Sequence, residues 1–310
     1  MPKYSQIHQD TFLTNLSIAF QAIEGISSRI PAIPVTKDSN KINIIDPGDM
    51  ARTGRADFRS PGTAGMGGDH ELTTKSFLLK EVSWFEKINE EDEANADEPI
   101  DLYADAQMVC DEAIMRRWEE YFESKVWGTG KWAVDYTPST LWSAGGTPLK
   151  DVGVQAAVIR KKRQIRQSDL TFIVGEDVHA QLQEHSTMRD ISNPTSQKPP
   201  DEEFLRNQFR LKNYWVASTN TNTAAKGAAD SFDWLLSPKD ALLVHIVDAP
   251  SKRRPGALCR LARKMTAESR TGSFRIPIPW EFHTRVYSRR KEDIVIIDAS
   301  GGVYFSGAVA

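Results

Sequence analysis

Residues 99–127, PIDLYADAQMVCDEAIMRRWEEYFESKVW, read as one long helix. Leu102, Ala106, Val109, Cys110, Ala113, Ile114 and Tyr121 recur at three- and four-residue steps and fall on one face. Asp101, Asp105, Glu112, Glu119 and Glu123 line another, polar face. Pro99 suits a first turn, Asp101 suits the positive N-terminal end, and Gly128 and Gly130 supply a stop. The stretch would span roughly 43 Å at about 1.5 Å per residue, long against a mean helix of ~12 residues. Trp118, Phe122 and Val126 lie off the main apolar face, so the second half is expected to be contacted from more than one side. A long helix packed from several sides is a spine, and the rest of the chain is read around it.

With 310 residues the chain can form one large or two ordinary domains, and 40 % apolar residues allow a real core. A net charge of −3 points by itself to neither nucleic acid nor a membrane surface. Cys110 and Cys259 fit no metal spacing and no disulfide framework, and Cys110 reads as a buried free thiol in a reducing compartment. The sequence opens with no charged-then-apolar leader. Its longest apolar runs, such as 241–247, are far too short to cross a bilayer. A soluble protein made in the cytoplasm is expected.

Upstream of the spine, Phe12, Leu16, Ile18, Phe20 and Ile23 suggest a short amphipathic helix, and residues 30–35 (IPAIPV) must be extended because of their prolines. This is an arm that needs a surface to lie against, and a neighbouring subunit is a plausible one. Residues 46–76 have few apolar side chains but carry Arg52, Arg55 and Arg59 and a glycine-rich tip, 61–68. Strand-like flanks at 41–45 and 76–82 make this a long hairpin, either a surface loop or one ordered by a partner. Residues 86–98 hold seven acids, among them Glu90, Glu91, Asp92 and Glu93, and read as a solvated loop rather than a calcium site.

Downstream, 154–167 resembles a second helix with Val154, Ala157, Val158 and Ile165 inward and Arg160, Lys161, Lys162, Arg163 and Arg166 on its basic positions. That basic face is either solvated or in contact with phosphates or an acidic neighbour. A strand at 171–174, helices at 176–184 and 201–209, and strands at 213–218, 232–236 and 241–247 suggest an α/β unit. The last sixty residues read as strands at 274–278, 282–287, 294–297 and 303–305. Between 252 and 291 the chain holds 12 basic residues, including Lys252, Arg253 and Arg254, against only Glu268 and Glu281.

No catalytic constellation emerges. Gly128-Thr129-Gly130-Lys131 lacks the first glycine and the Ser/Thr of a phosphate loop, and the glycines at 62, 65, 67 and 68 miss the dinucleotide spacing. The six histidines are dispersed, and no Gly-x-Ser-x-Gly elbow occurs. Neither an enzyme nor a cofactor is indicated. The arm, the hairpin, the spine and the basic β-rich end are parts of a subunit completed by its neighbours.

The order of these parts resembles the major capsid proteins of tailed double-stranded-DNA bacteriophages, a fold shared with encapsulins and the herpesvirus capsid floor. The likeness is carried by Phe77-Leu78-Leu79-Lys80-Glu81-Val82, by Asp92 to Pro99 at the spine entry, and by Arg117-Trp118-Glu119-Glu120 with Trp127 in the spine. Val174 to Leu182 is similar to the axial strand-then-helix, and Ile297 to Phe305 to the final peripheral strand. Each motif is weak alone, and their order persuades. The resemblance implies an α+β capsid fold: an arm at 1–41, an extended loop at 42–83, a peripheral domain at 84–153 with the spine, an axial domain at 154–270, and return strands of the peripheral domain at 271–310.

It further implies a structural subunit that self-assembles as pentamers and hexamers into an icosahedral head enclosing double-stranded DNA. Its partners would be itself, a portal, a separate scaffolding protein, a cement protein in some heads, and DNA through weak non-specific contact, with no membrane. The subunit would assemble in the host cytoplasm and reside in the virion. Under this reading Arg52, Arg55 and Arg59 would pair across subunits with Glu90, Glu91, Asp92, Glu93, Glu112, Glu119 and Glu123. Arg160, Lys161, Lys162, Arg163, Arg166, Lys252, Arg253 and Arg254 would face the genome. Lys75 and several asparagines are present, but no motif marks a cross-linking pair. The alternatives are an encapsulin-like cargo shell, a cytosolic enzyme with a dispersed site, and a nucleic-acid-binding protein using its basic faces.

Overall fold

The computed structural model describes residues 25–45, 72–94, 101–192, 199–225, 227–251, 255–263 and 272–310, with single positions between 48 and 68. The expected helix through Phe12 and Ile23, together with Arg55, Arg59, Lys252, Arg253 and Arg254, lies outside these residues. In chain order the elements are α1 (Ile26–Arg29), β1 (Ala32–Val35), β2 (Ser39–Ile45), β3 (Leu72–Leu78), β4 (Lys80–Asn89), α2 (Glu90–Ala94), the spine α3 (Leu102–Val126) and β5 (Val134–Tyr136). There follow α4 (Pro148–Arg163), β6 (Leu170–Gly175), α5 (Glu176–Glu184), α6 (Ser186–Ser192), α7 (Glu202–Gln208), β7 (Asn213–Ala217), β8 (Asn220–Asn222), β9 (Phe232–Trp234) and β10 (Ala241–His245). The chain closes with β11 (Leu258–Arg263), β12 (Gly272–Ile278), β13 (His283–Ile296) and β14 (Gly302–Phe305).

The first sheet is organised on β13, which runs 14 residues. One edge pairs with β4; the other pairs first with β12 and then with β11. Two expected strands, 282–287 and 294–297, are thus one. The intervening Ser288 to Asp293 is polar but holds no glycine or proline, so nothing in it turns the chain. β1 adds to β11 in parallel at the end of this sheet. There Pro34 is tolerated, because an edge strand can spare an N–H. β2 and β3 form the expected hairpin, with legs at 39–45 and 72–78 rather than 41–45 and 76–82.

The second sheet has the order β5-β14-β10-β6-β7 and is mixed. β6, β10 and β14 at its centre are buried on both faces, which is why they are nearly continuous apolar runs rather than alternating ones. Phe172, Val174, Leu243, Val303 and Phe305 meet α4, α5 and α7 through Val152, Ile159, Val178 and Leu205. Ile173, Leu242, Val244 and Tyr304 face the opposite way, toward Trp118, Phe122 and Trp127. The expectation that residues 297–305 end the peripheral strands is therefore corrected: β14 sits inside this second sheet. Gly302 fits only as glycine, since a Cβ there would meet the Trp132 ring at 2.3 Å.

The spine lies between these bodies. Its first half rests on β4 and β13, where Ala106 joins Ile88 and Val286. Ile114, Trp118, Phe122 and Val126 then follow at four-residue steps and touch residues of both sheets and of α1. Each such buried side chain contributes ~1.5–3 kcal/mol. The two-sided second half matches the expectation, but Val109 does not, since it is half exposed at 49 %. The inward face of α4 is likewise Val152, Ala156 and Ile159, whereas Val154 is exposed.

Candidate assembly surface

The spine opens on Asp101, whose carboxylate accepts from the backbone N–H groups of Tyr103 and Ala104, both at 3.1 Å. Its end is closed by Lys131, whose ammonium donates to the carbonyls of Glu123 and Trp127. Along the helix one carboxylate of the expected polar face is turned inside. Glu119 is 0 % exposed; its Oε1 accepts from Ile26 N–H at 2.8 Å and its Oε2 from Ser27 N–H at 2.9 Å. These are the first two amides of α1, donors that the short helix cannot satisfy itself. Gly25 permits the approach, because a Cβ there would stand 2.6 Å from Oε2. Burial raises the Glu119 pKa, against the bonds from Ser27 and Ile26 and the charge of Arg29.

Glu119 is therefore withdrawn as a contact for a neighbour: it anchors the arm of its own chain. Its spacing from Met115 and Phe122, both buried, is the sequence signal that could have shown this. The other spine acids behave as expected of a wet face. Glu112 pairs with Arg116 at 2.8 Å, one turn on, and Glu123 is exposed. Glu90, Glu91 and Glu93 of α2 are exposed, and Glu93 accepts from the Tyr103 hydroxyl at 2.9 Å. Asp92 also belongs to α2. Arg52 is exposed.

The hairpin is held at its base by groups that sequence reading missed. Asp38 receives Arg263 at 2.8 Å and Lys291 at 2.7 Å, and its pKa is lowered, first by the Lys291 hydrogen bond. Asp293 is buried and accepts from Leu78 N–H at 3.2 Å and from the Tyr121 hydroxyl at 2.9 Å. Burial raises the pKa of Asp293, opposed by those two donors. Beneath, Ile42, Phe77 and Leu79 of the hairpin pack on Ile33, Cys259, Leu261 and Ile297. On β3 the side chains from Leu72 to Ser76 are exposed, and the Leu78 side chain at the base is exposed as well. No spacing rule links Asp38 to residues 263 and 291; only the folded sheet brings them together.

The basic residues of α4 divide. Arg160, Lys161, Lys162 and Arg166 are exposed. Arg163 is removed from the expected genome-facing set, because it points inward to Asp298 at 3.3 Å, to His245 Nδ1 at 3.2 Å and to the Gly256 carbonyl at 3.2 Å. His245 is pushed down to about 4, first by burial and then by the Arg163 charge. Among the described residues no group of three His, Cys, Asp or Glu side chains could hold a metal ion, and no helix is long and apolar enough to cross a membrane.

What this geometry offers is therefore surface: an anchored hairpin that leaves the body, acidic stripes, and exposed aromatic side chains such as Trp280 and Phe282. No family model and no curated protein matches the chain in sequence. Solved structures do match in shape. A phage-related protein of Bordetella bronchiseptica RB50 aligns with TM-score 0.73 at 14 % identity, over 97 % of this chain and 98 % of that one. The mature capsid of bacteriophage PhiM1 aligns with TM-score 0.55 at 11 % identity, over 91 % and 87 %. The SrpI encapsulin of Synechococcus elongatus PCC 7942 aligns with TM-score 0.53 at 11 % identity, over 100 % and 92 %. At such identities the shared property is the fold: this chain has the fold of tailed-phage major capsid proteins, the one that encapsulin shells also use.

Proposed function

We propose that this chain is the shell-forming subunit of a tailed-phage head, assembling as pentamers and hexamers around double-stranded DNA. The observation that carries the reading is the near-complete overlap with capsid and encapsulin subunits, 91 % and 100 % of the chain, together with a hairpin whose second strand is exposed from Leu72 to Ser76. A two-stranded ribbon is marginal by itself in water, so it needs a second surface. In the assembled shell the hairpin lies on the adjacent subunit, with Arg52, Arg55 and Arg59 near Glu90, Glu91, Asp92, Glu93, Glu112 or Glu123. Residues 154–270 form most of the axial domain around the ring centre. A portal, a scaffolding protein and packaged DNA complete the particle.

The test is negative-stain microscopy and size-exclusion chromatography of the purified chain. Rings or closed shells of megadalton size are expected, and a stable particle of one to a few chains overturns the reading. The encapsulin match makes a cargo shell the second reading. Nuclease-protected DNA inside particles from infected or induced cells supports a head, whereas protein cargo without DNA supports the second.

A further inference from the structure

Among the described residues, two of the three non-glycine residues with positive φ stand at helix ends whose following segments meet. Gln164, at φ 54°, ends α4, and Arg210, at φ 53°, ends α7. At both, the backbone takes the left-handed turn that closes a helix: Gln164 N–H donates to the Arg160 carbonyl, Arg210 N–H to Asn207 and Leu211 N–H to Arg206. That position normally holds glycine, because a Cβ is strained there. The two helix ends are tied together by Gln167, whose side-chain amide donates to the Phe209 carbonyl at 2.8 Å, and by Lys212 N–H on the Leu170 carbonyl at 2.9 Å. Arg166 and Arg210 thus flank one hydrogen bond.

Around this junction Arg160, Lys161, Lys162, Arg166 and Arg210 are all exposed, and none makes an ion pair among the described residues. The nearby acids are already used. Asp169 accepts from Arg166 N–H, Asp248 binds Lys212 at 2.7 Å, and Asp298 holds Arg163. The helix dipole explains cations in the last turn of α4. It does not explain Arg166, beyond that turn, or an arginine held at a strained position on another helix. Resting on the head-subunit reading above, we propose that the joined ends of α4 and α7 form a binding surface for the phosphodiester backbone of double-stranded DNA, in which Arg210 is a contact residue and Arg163 only sets the α4 end. Contact is to phosphates alone, so it is independent of base sequence and falls with salt.

The strain gives a discriminating variant. Arg210→Gly removes the charge while relieving the backbone, so a merely structural Arg210 predicts equal or better stability and unchanged binding. A fluorescent 30-base-pair duplex is titrated with the full-length subunit between 50 and 200 mM NaCl and read by anisotropy. The expected result is a log–log salt slope that shrinks by ~0.9 for each phosphate that is no longer neutralised. For Arg210→Gly, affinity falls several-fold at 50 mM with Tm unchanged or raised. The triple variant R160S/K161S/K162S weakens binding more than tenfold. Wild-type affinity in both variants, or no duplex binding by the wild type at 50 mM, overturns the proposal. Electron microscopy of the same variants keeps the two readings apart: shells with weakened duplex binding leave the head reading intact, and wild-type protein that forms no shell refutes it whatever the duplex data.

Discussion

Glu119 shows how one residue can invert the reading of a face. A carboxylate at a polar position of an amphipathic helix is ordinarily solvated, yet here it closes the N-terminal end of α1. Glu119→Ala would leave two buried amides without an acceptor, at a cost on the order of 2 kcal/mol. The expected outcome is a lower Tm and faster proteolysis ahead of Ile30. The pH sign follows from the raised pKa of Glu119. The folded state binds its proton more readily than the unfolded one, so this group's contribution is greatest below the ordinary carboxylate range and declines as pH rises through the folded value. Glu119→Gln should flatten that decline in Tm.

His245 acts with the opposite sign. Its folded value of about 4 lies below the ordinary 6.5, so the stability it supports is present above pH 6.5 and is lost as pH falls through 4. Protonation would set a second positive charge beside Arg163. His245→Gln, compared with wild type in Tm measured at pH 7 and pH 4.5, should lose less on acidification. An equal loss in both would show that His245 is not the titrating group.

At the scale of elements, the base of the hairpin decides its direction. Asp293→Ala removes the acceptor shared by Leu78 N–H and Tyr121, costing about 1–3 kcal/mol for the group left unpaired. Hydrogen exchange should accelerate at Leu78 and Leu79 while the strands β6 and β10 stay protected. Acceleration spread evenly over both sheets would contradict an anchor confined to the hairpin.

The same scale shows what was legible. The spine, the hairpin and α5 were readable because period, prolines and caps are local signals. Asp101 and Gly128 mark the helix ends in sequence as they do in the fold. The inward turn of Arg163, the anchor at Asp38 and the place of β14 were not readable, since each depends on partners far along the chain. Arg163 differs from Lys162 only by its phase on α4, which starts at Pro148 rather than near 154. Arg163 continues the inward line of Val152, Ala156 and Ile159.

For the whole molecule, the order of parts conveyed more than any motif. The lack of sequence matches beside near-complete structural overlap is what a fold defined by burial pattern and topology would produce. In a shell of the proposed kind, exposed ion pairs would each add about 0–1 kcal/mol, and repetition would make them count. Reversing Arg55 and Arg59 together to glutamate should lower the yield of closed shells while leaving the subunit's Tm unchanged. Normal shells at normal yield would exclude pairing through these two arginines.

The pairing of distant strands also sets a timetable. Ala32 lies beside Arg260, Lys80 beside Glu292 and Val134 beside Val303. On the ribosome, at ~5–20 residues per second, the early strands must wait for partners not yet made. Such long loop closures slow folding. A nascent or truncated chain lacking residues 302–305 leaves β5 and β10 without the strand between them and presents no finished surface to the spine. If the chain builds a shell as proposed, topology would act as a quality check on synthesis: a defective subunit would be kept out by failing to fold, before any neighbour had to reject it.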